Sequence, residues 1–252
     1  MIEIFILSLI QGITEFLPIS SSSHLIIISE YMRFENHKLE IDIGLHIGSF
    51  FAVTFFFRKD VFNFIKNRKL FFFILISTIP VMIVGYLLIK LNLIDQLRNI
   101  KIIGWTTLIF GILLYLSDKF DVQKEINSNF TLKSALFIGF IQVLSLIPGV
   151  SRSGITITGA RFLKFKRYDS AKISFLLSIP TLAAVSIFGL NNLVRSGSSN
   201  FSFLIFFSII FSFLFSLITI KYFLKYIENF SLNIFVFYRV ILGIILLIMS
   251  YL

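Results

Sequence analysis

Apolar residues run along this chain in long blocks. Six blocks are long enough to cross a membrane as helices, at about 41–57, 70–90, 101–117, 173–192, 201–220 and 234–252. Two further segments, about 2–29 and 134–160, are apolar at their ends but polar and broken by Pro and Gly in the middle. The first contains "QGITEFLPISSSSHL" (Gln11 to Leu25), the second "PGVSRSG" (Pro148 to Gly154). Backbone groups freed by such breaks find no partner in lipid. The pattern therefore predicts hairpins buried within the bundle. The expected fold is an all-α polytopic membrane protein, six transmembrane helices plus two re-entrant helical hairpins, in one integral membrane domain spanning 1–252.

Composition agrees. The 252 residues are 57% hydrophobic, with a mean hydropathy of +0.93, more than the polar surface of a soluble domain of this length can balance. Cysteine is absent, which excludes disulfides and thiol chemistry. His24, His37 and His46 are too dispersed to suggest a zinc site. "MIEIF" lacks a basic n-region, so no cleavable signal peptide is expected. The net charge of +10 is better read as basic loops beside anionic headgroups than as a nucleic-acid surface, and no nucleic-acid partner is expected.

Charge placement tests the span count. With the loop 58–69 on the cytoplasmic side, the loops 118–133, 161–172 and 221–233 fall there too, and the four hold fifteen Lys and Arg. The other side receives six: Arg33, Lys38, Lys90, Arg98, Lys101 and Arg195. Only Arg152 and Arg239 remain at membrane depth. This bias predicts both termini outside. The chain also repeats weakly. Each broken segment has a Gln (Gln11, Gln142), a Pro (Pro18, Pro148) and a serine cluster, and an "S-x-IP" or "SIP" run follows at 77–80 and 178–180. The first hairpin enters from outside and the second from inside, which makes an inverted repeat of halves at about 1–117 and 134–252 and joins the two polar turns in one site.

Glu15 costs about 2.5–3.5 kcal/mol to insert in hydrocarbon, so it is a candidate functional group. Gln11 shares its helical face. Ser21 and His24 are three residues apart, a spacing that suits a nucleophile and its base. Alternatively the serines only shape a turn and His24 is a satisfied interior histidine. Ser20 and Ser22 add hydroxyls. In "PGVSRSG", Ser151, Ser153 and Gly154 flank or follow Arg152 at the start of a helix, a cradle for phosphate oxygens. Arg152 could instead serve only as counter-ion to Glu15. His46, in "GLHIG", reads as structural or as a support for the site, with Asp42 one turn away as its partner. Arg239 is expected near the inner part of the last span, paired or snorkelling. The 33 Phe residues read as lipid-facing or core.

These two motifs resemble those of the undecaprenyl-diphosphatase family, also called bacitracin-resistance proteins. The first family signature, (E/Q)-G-x-T-E-F-L-P-x-S-S-[ST]-G-H, stands here as "QGITEFLPISSSSH", and the second, P-G-x-S-R-S-G, as "PGVSRSG"; "SFLLSIP" at 174–180 also looks like the family. The likeness spans nearly the whole chain. It implies hydrolysis of undecaprenyl diphosphate, which recycles the lipid carrier of cell-wall synthesis, in a bacterial plasma membrane with the site open to the periplasmic side. It implies Gln11 and Glu15 as the (E/Q)xxxE pair and as metal-binding residues, Ser21 and His24 as candidate nucleophile and partner, and Arg152 as the diphosphate-binding arginine. A divalent cation, Mg²⁺ or Ca²⁺, a polyprenyl diphosphate substrate and contact with membrane lipids follow from it; a homodimer is compatible with it. One departure is Ser23 in place of the usual glycine, which would be strained if that position needs φ > 0.

Two other readings compete. Membrane lipid-phosphate phosphatases with a histidine nucleophile carry S-R-x5-H, and "SRSGITITG" has no downstream histidine. A polyprenyl-lipid transporter or flippase without hydrolysis would share the inverted repeat.

Overall fold

A computed structural model describes residues 1–32, 39–64, 67–120, 124–195 and 203–251. Arg33, His37 and Lys38, and the side chain of Arg195, lie outside the described residues. Among the described residues every regular element is helical, apart from an isolated bridge between Lys124 and Phe165. The first broken segment folds as α1 (Ile2–Thr14) and α2 (Ser21–Met32), joined by the turn at 15–20. Then come α3 (Leu39–Phe56), the short α4 (Arg58–Asn63), α5 (Arg68–Lys90), the short α6 (Ile94–Leu97), α7 (Ile100–Asp118) and the short α8 (Ile126–Asn129). The second broken segment is α9 (Leu132–Gln142), a 3₁₀ turn (Val143–Leu146), a loop and α10 (Arg152–Phe162). It is followed by α11 (Arg167–Arg195), α12 (Phe203–Asn229) and α13 (Asn233–Tyr251).

Five of these helices are long and apolar enough to cross a membrane: α5, α7, α11 over Arg167–Leu193, α12 and α13. The block expected at 41–57 does fold as a helix, α3, but it carries Glu40, Asp42 and His46 and is not among the five. Side-chain oxygens define several starts. Asn67 accepts from Leu70 N, Asn99 from Lys101 N, Thr131 from Ser134 N and Ser151 from Gly154 N.

Close packing is bought with small residues. A Cβ at Gly48 of α3 would meet Ile209 O of α12 at 2.4 Å, and one at Gly139 of α9 would meet Ser77 O of α5 at 2.4 Å. Where α3 and α12 touch, Ser49 Oγ lies 3.1 Å from both Ser212 Oγ and Ser216 Oγ, and Ser212 Oγ donates to Leu45 O at 2.7 Å. Hydrogen bonds between helices of this kind hold a bundle whose lipid-facing sides gain nothing from burial. The phenylalanines fill the core: Phe16 stands edge-on to Phe175, centroids 5.3 Å apart, and Phe175 also contacts Phe57 and Phe223. Phe16 is fully buried, so it fixes the end of α1 against α11 and thereby places its neighbour Glu15.

Candidate active site

Both polar turns end in the same local structure. Ser20, before α2, has φ 75°, and Ser151, before α10, has φ 70°. A left-handed serine at a helix start is a strained conformation that persists only where the surroundings enforce it, and such strain clusters at functional sites. The two strained serines bring the first turns of α2 and α10 towards one carboxylate.

That carboxylate is Glu15, 7% exposed. Its Oε1 accepts from Arg152 Nη2 at 2.5 Å. Its Oε2 accepts from Ser21 Oγ at 2.7 Å and from Gln11 Nε2 at 2.9 Å. Gln11 Nε2 also lies 3.2 Å from His46 Nδ1; an amide N–H donates, so that ring nitrogen is the acceptor. His46 is thus a support for Gln11. Gln11 Oε1 and Arg152 Nη1 are both buried with no hydrogen-bond partner. A buried donor or acceptor with no partner is costly, so each of these atoms is a candidate contact for a ligand. Arg152 is thus counter-ion to Glu15 through Nη2, while Nη1 has no protein partner. Ser153 Oγ donates to Leu17 O at 2.7 Å, which stitches the second turn onto the first, and lies 3.2 Å from Ser151 Oγ. The hydroxyls of Ser20 and Ser22 are 3.4 Å apart. Gly154 N is used by Ser151 Oγ, at 3.1 Å, which leaves the first two amides of α10, Arg152 and Ser153, without intrahelical partners.

Three expectations are corrected. Ser21 does not contact His24: its hydroxyl is turned to Glu15. His24 folds back so that Nδ1 lies 2.6 Å from Ser20 O, and Nε2 lies 2.5 Å from Tyr238 Oη. A carbonyl oxygen only accepts, so Nδ1 carries the proton and, in the neutral ring, Nε2 accepts from the phenol. The two rings stack, 12° from parallel. Ser23 is not strained. It lies inside α2, away from the positive-φ residues, and its Oγ is 3.0 Å from Ser20 Oγ; the strain sits at Ser20. Arg239 does not snorkel. It is 0% exposed, and its guanidinium donates to Gly149 O at 2.8 Å, Val150 O at 3.0 Å, Thr107 O at 3.2 Å and Pro18 O at 3.3 Å. One cation thus holds the carbonyls of both turns, because Pro and a left-handed residue in each leave those oxygens free of helical partners.

Tyr238 was missed in the sequence, and Arg239 was placed wrongly. The available signal was the pair "YR" in the last span: a buried cation and a phenol side by side, with no acidic residue near them in sequence.

Residues 4–245 match the family model described as bacitracin resistance protein BacA. The chain belongs to the bacitracin resistance protein BacA family. It is 51% identical over 251 residues to an undecaprenyl-diphosphatase of Pelagibacter ubique (strain HTCC1062), covering 99% of this chain and 98% of that protein. It is 38% identical over 261 residues to an undecaprenyl-diphosphatase of Jannaschia sp. (strain CCS1), covering 98% of each. Membership and the five apolar helices make this BacA-family chain a multi-pass membrane protein.

The residues present also bear on a divalent ion. Among the described residues no three His, Asp or Glu converge on one point. A full protein cage is therefore not what the site offers. Gln11 turns its amide nitrogen to Glu15 and leaves Oε1 unpartnered; that oxygen and the carboxylate are hard donors, and one or two such ligands suffice for Mg²⁺ when phosphates and water supply the rest.

Proposed function

We propose that this chain is an integral membrane hydrolase that converts undecaprenyl diphosphate to undecaprenyl phosphate and inorganic phosphate. The reaction recycles the lipid carrier of peptidoglycan synthesis and confers bacitracin resistance. Family membership supports the activity, and the observation that carries the site is the pair of orphans, Arg152 Nη1 and Gln11 Oε1, flanking Glu15. The transport-only reading draws no support from relatives named as diphosphatases.

The helices are read as six spans, α3 with the five apolar ones, and α1–α2 and α9–α10 as re-entrant hairpins of an inverted repeat. The fifteen-to-six distribution of loop charge supports a plasma-membrane orientation with both termini and the mouth of the site periplasmic. The diphosphate enters between the hairpins while its chain stays in the bilayer. Arg152 Nη1 and the first amides of α10 hold the terminal phosphoryl group. A divalent ion held by Glu15 and Gln11 would neutralise charge on the diphosphate.

Ser21 Oγ attacks the terminal phosphorus in line. The Oγ–P bond forms as the bridging P–O bond breaks, the electron pair leaves on undecaprenyl phosphate, and the serine proton passes to Glu15 Oε2, already 2.7 Å away. Water then attacks the phosphoserine and gives up a proton through Tyr238 to His24 Nε2, while Ser21 recovers its proton from Glu15 and phosphate departs. A second reading has water attack directly, with Ser21 only binding phosphate. It is favoured by the contacts of Glu15, whose two oxygens already accept from Arg152, Ser21 and Gln11. Phosphate release by the purified protein tests the function. Arg152→Lys, which keeps the charge and loses the fork, should lose most of that activity while the protein still inserts; near wild-type turnover would reduce Arg152 to a counter-ion. Labelling at Phe64 and Lys166 should place both on the cytoplasmic side.

A further inference from the structure

The motif "GLHIG" of α3 carries none of the reacting groups, yet its histidine touches the site. Gln11 ends in an amide with two N–H donors and one carbonyl acceptor. Charge fixes which end meets Glu15. Nε2 lies 2.9 Å from Glu15 Oε2, and turning the amide over would set two oxygens against each other. The same nitrogen lies 3.2 Å from His46 Nδ1. Glu15 and His46 therefore take the two N–H groups of Gln11, one each, and the carbonyl Oε1 is left buried without a partner. The last torsion of a glutamine has broad minima. One hydrogen bond leaves the amide free to swing about it; two on the same nitrogen fix its plane.

His46 does this in one tautomer. An accepting Nδ1 puts the ring proton on Nε2, the opposite of His24, whose Nδ1 faces the Ser20 carbonyl and carries the proton. Packing sets the height at which the ring meets Gln11. Leu45, next to His46, and Leu7, one turn before Gln11, are fully buried in one apolar cluster with Ile4 and Ile41. Towards α12, a Cβ at Gly44 would meet Ser208 Oγ at 2.1 Å and one at Gly48 would meet Ile209 O at 2.4 Å. The two glycines that flank His46 seat α3 close against α12, and the leucines register it against α1.

We propose that His46 is a positioning residue, which holds the amide of Gln11 so that Oε1 is presented to the reacting complex as a bare acceptor. An acceptor takes a cation or a polarised O–H and turns away a phosphate oxygen. The histidine thus acts through Gln11, without touching the substrate, and its role rests on the diphosphatase reading of the site.

The test exploits the geometry of two amides. Asparagine places its carbonyl oxygen two bonds from Cβ, where Nδ1 stands; glutamine places its own one bond further, where Nε2 stands. In the purified full chain, His46→Asn should keep phosphate release within about fivefold of wild type, and His46→Gln and His46→Leu should lose about 10–100-fold, the range for removing the partner that orients a ligating group. In a Gln11→Ala background His46→Leu should cost less than about twofold more, because nothing is left for the ring to hold. Methylenediphosphonate with Mg²⁺, read as a rise in Tm, should follow the same order without depending on turnover. A higher Mg²⁺ concentration for half-maximal rate in His46→Leu assigns Oε1 to the ion; an unchanged requirement with a lower kcat assigns it to the attacking water. Equal rates in His46→Asn and His46→Gln, a His46→Leu variant as active as wild type, or the same loss with and without Gln11 would overturn the proposal. A wild-type protein that releases no phosphate would overturn the diphosphatase reading instead, and the Tm series would then decide the role of His46 alone.

Discussion

Ser21 donates its hydroxyl to Glu15 Oε2 at 2.7 Å, and His24, one turn further along α2, faces away towards Tyr238. Ser21 and its hydrogen-bond acceptor thus come from opposite sides of the first turn rather than from one helix face. With Ser21 as nucleophile, acid quench during turnover should trap a phosphoenzyme that is lost in Ser21→Ala, and the rate should fall by about three orders of magnitude. Glu15→Gln should fall at least as far, since it removes the proton acceptor and the partner of Arg152. If Ser21→Ala keeps more than about a tenth of the rate, a deficit under ~1.4 kcal/mol, the covalent route is wrong and water attacks directly.

Tyr238 sets the ring of His24. Without the phenol, Nε2 loses its donor and the imidazole is held only through Nδ1 and Ser20 O. Tyr238→Phe keeps the stacked ring and deletes one oxygen. It should lower kcat by roughly tenfold to a hundredfold, at or below the ~10²–10⁴ of a full general-base contribution because His24 itself remains, and leave KM within about twofold. A raised KM with unchanged kcat would show that Tyr238 seats the substrate instead.

The helical class and the two broken segments were legible because each has a local cause, and the polar residues of those segments, Gln11, Glu15, Ser21 and Arg152, do meet in the structure. Long apolar blocks leave helix as the only membrane solution, and Pro18, Pro148 and the serine runs mark where helices stop. What Ser21 touches was not legible. Spacing of three on a helix says two side chains can meet, but a strained Ser20 swings the start of α2 so that Ser21 reaches back to Glu15, and His24 finds a partner 214 residues away. The snorkelling alternative for Arg239 fails for a related reason. A lone arginine in a span looks like a snorkelling residue unless the carbonyls that will receive it are known, and three of those belong to turns far off in sequence.

The positions of strain give opposite expectations for two neighbouring serines. Ser20→Gly removes the left-handed penalty and should gain up to about 1 kcal/mol of stability, less what the lost hydroxyl contacts contributed. Ser23→Gly, which restores the residue usual in the family motif, puts glycine inside α2 and deletes the bond to Ser20 Oγ. It should lose about 1 kcal/mol and not raise activity. Unfolding in detergent compared with phosphate release separates the two; a more active Ser23→Gly would return the strain to that position.

Arg239 is the most exacting test of how the two turns are held. Four carbonyls from three parts of the chain converge on its guanidinium, which reaches them because it offers five N–H donors in a planar fork. Lysine brings the same charge at a single point and cannot span Pro18, Gly149 and Val150 together. Arg239→Lys should therefore cost about 3–5 kcal/mol, the range for breaking a buried charged network. It should also slow phosphate release more than tenfold, although Arg239 does not touch substrate, because Ser21 and Arg152 lose their common reference. Gly154→Ala offers an independent approach to the same contact: its Cβ would come within 2.8 Å of Arg239 Nη1 and push the guanidinium off the turns without altering its charge. It should show the same joint loss of Tm and kcat, in milder form. If Arg239→Lys instead melts and turns over like the wild type, the turns are held by their own contacts, such as Ser153 Oγ to Leu17 O, and the arginine is a passenger.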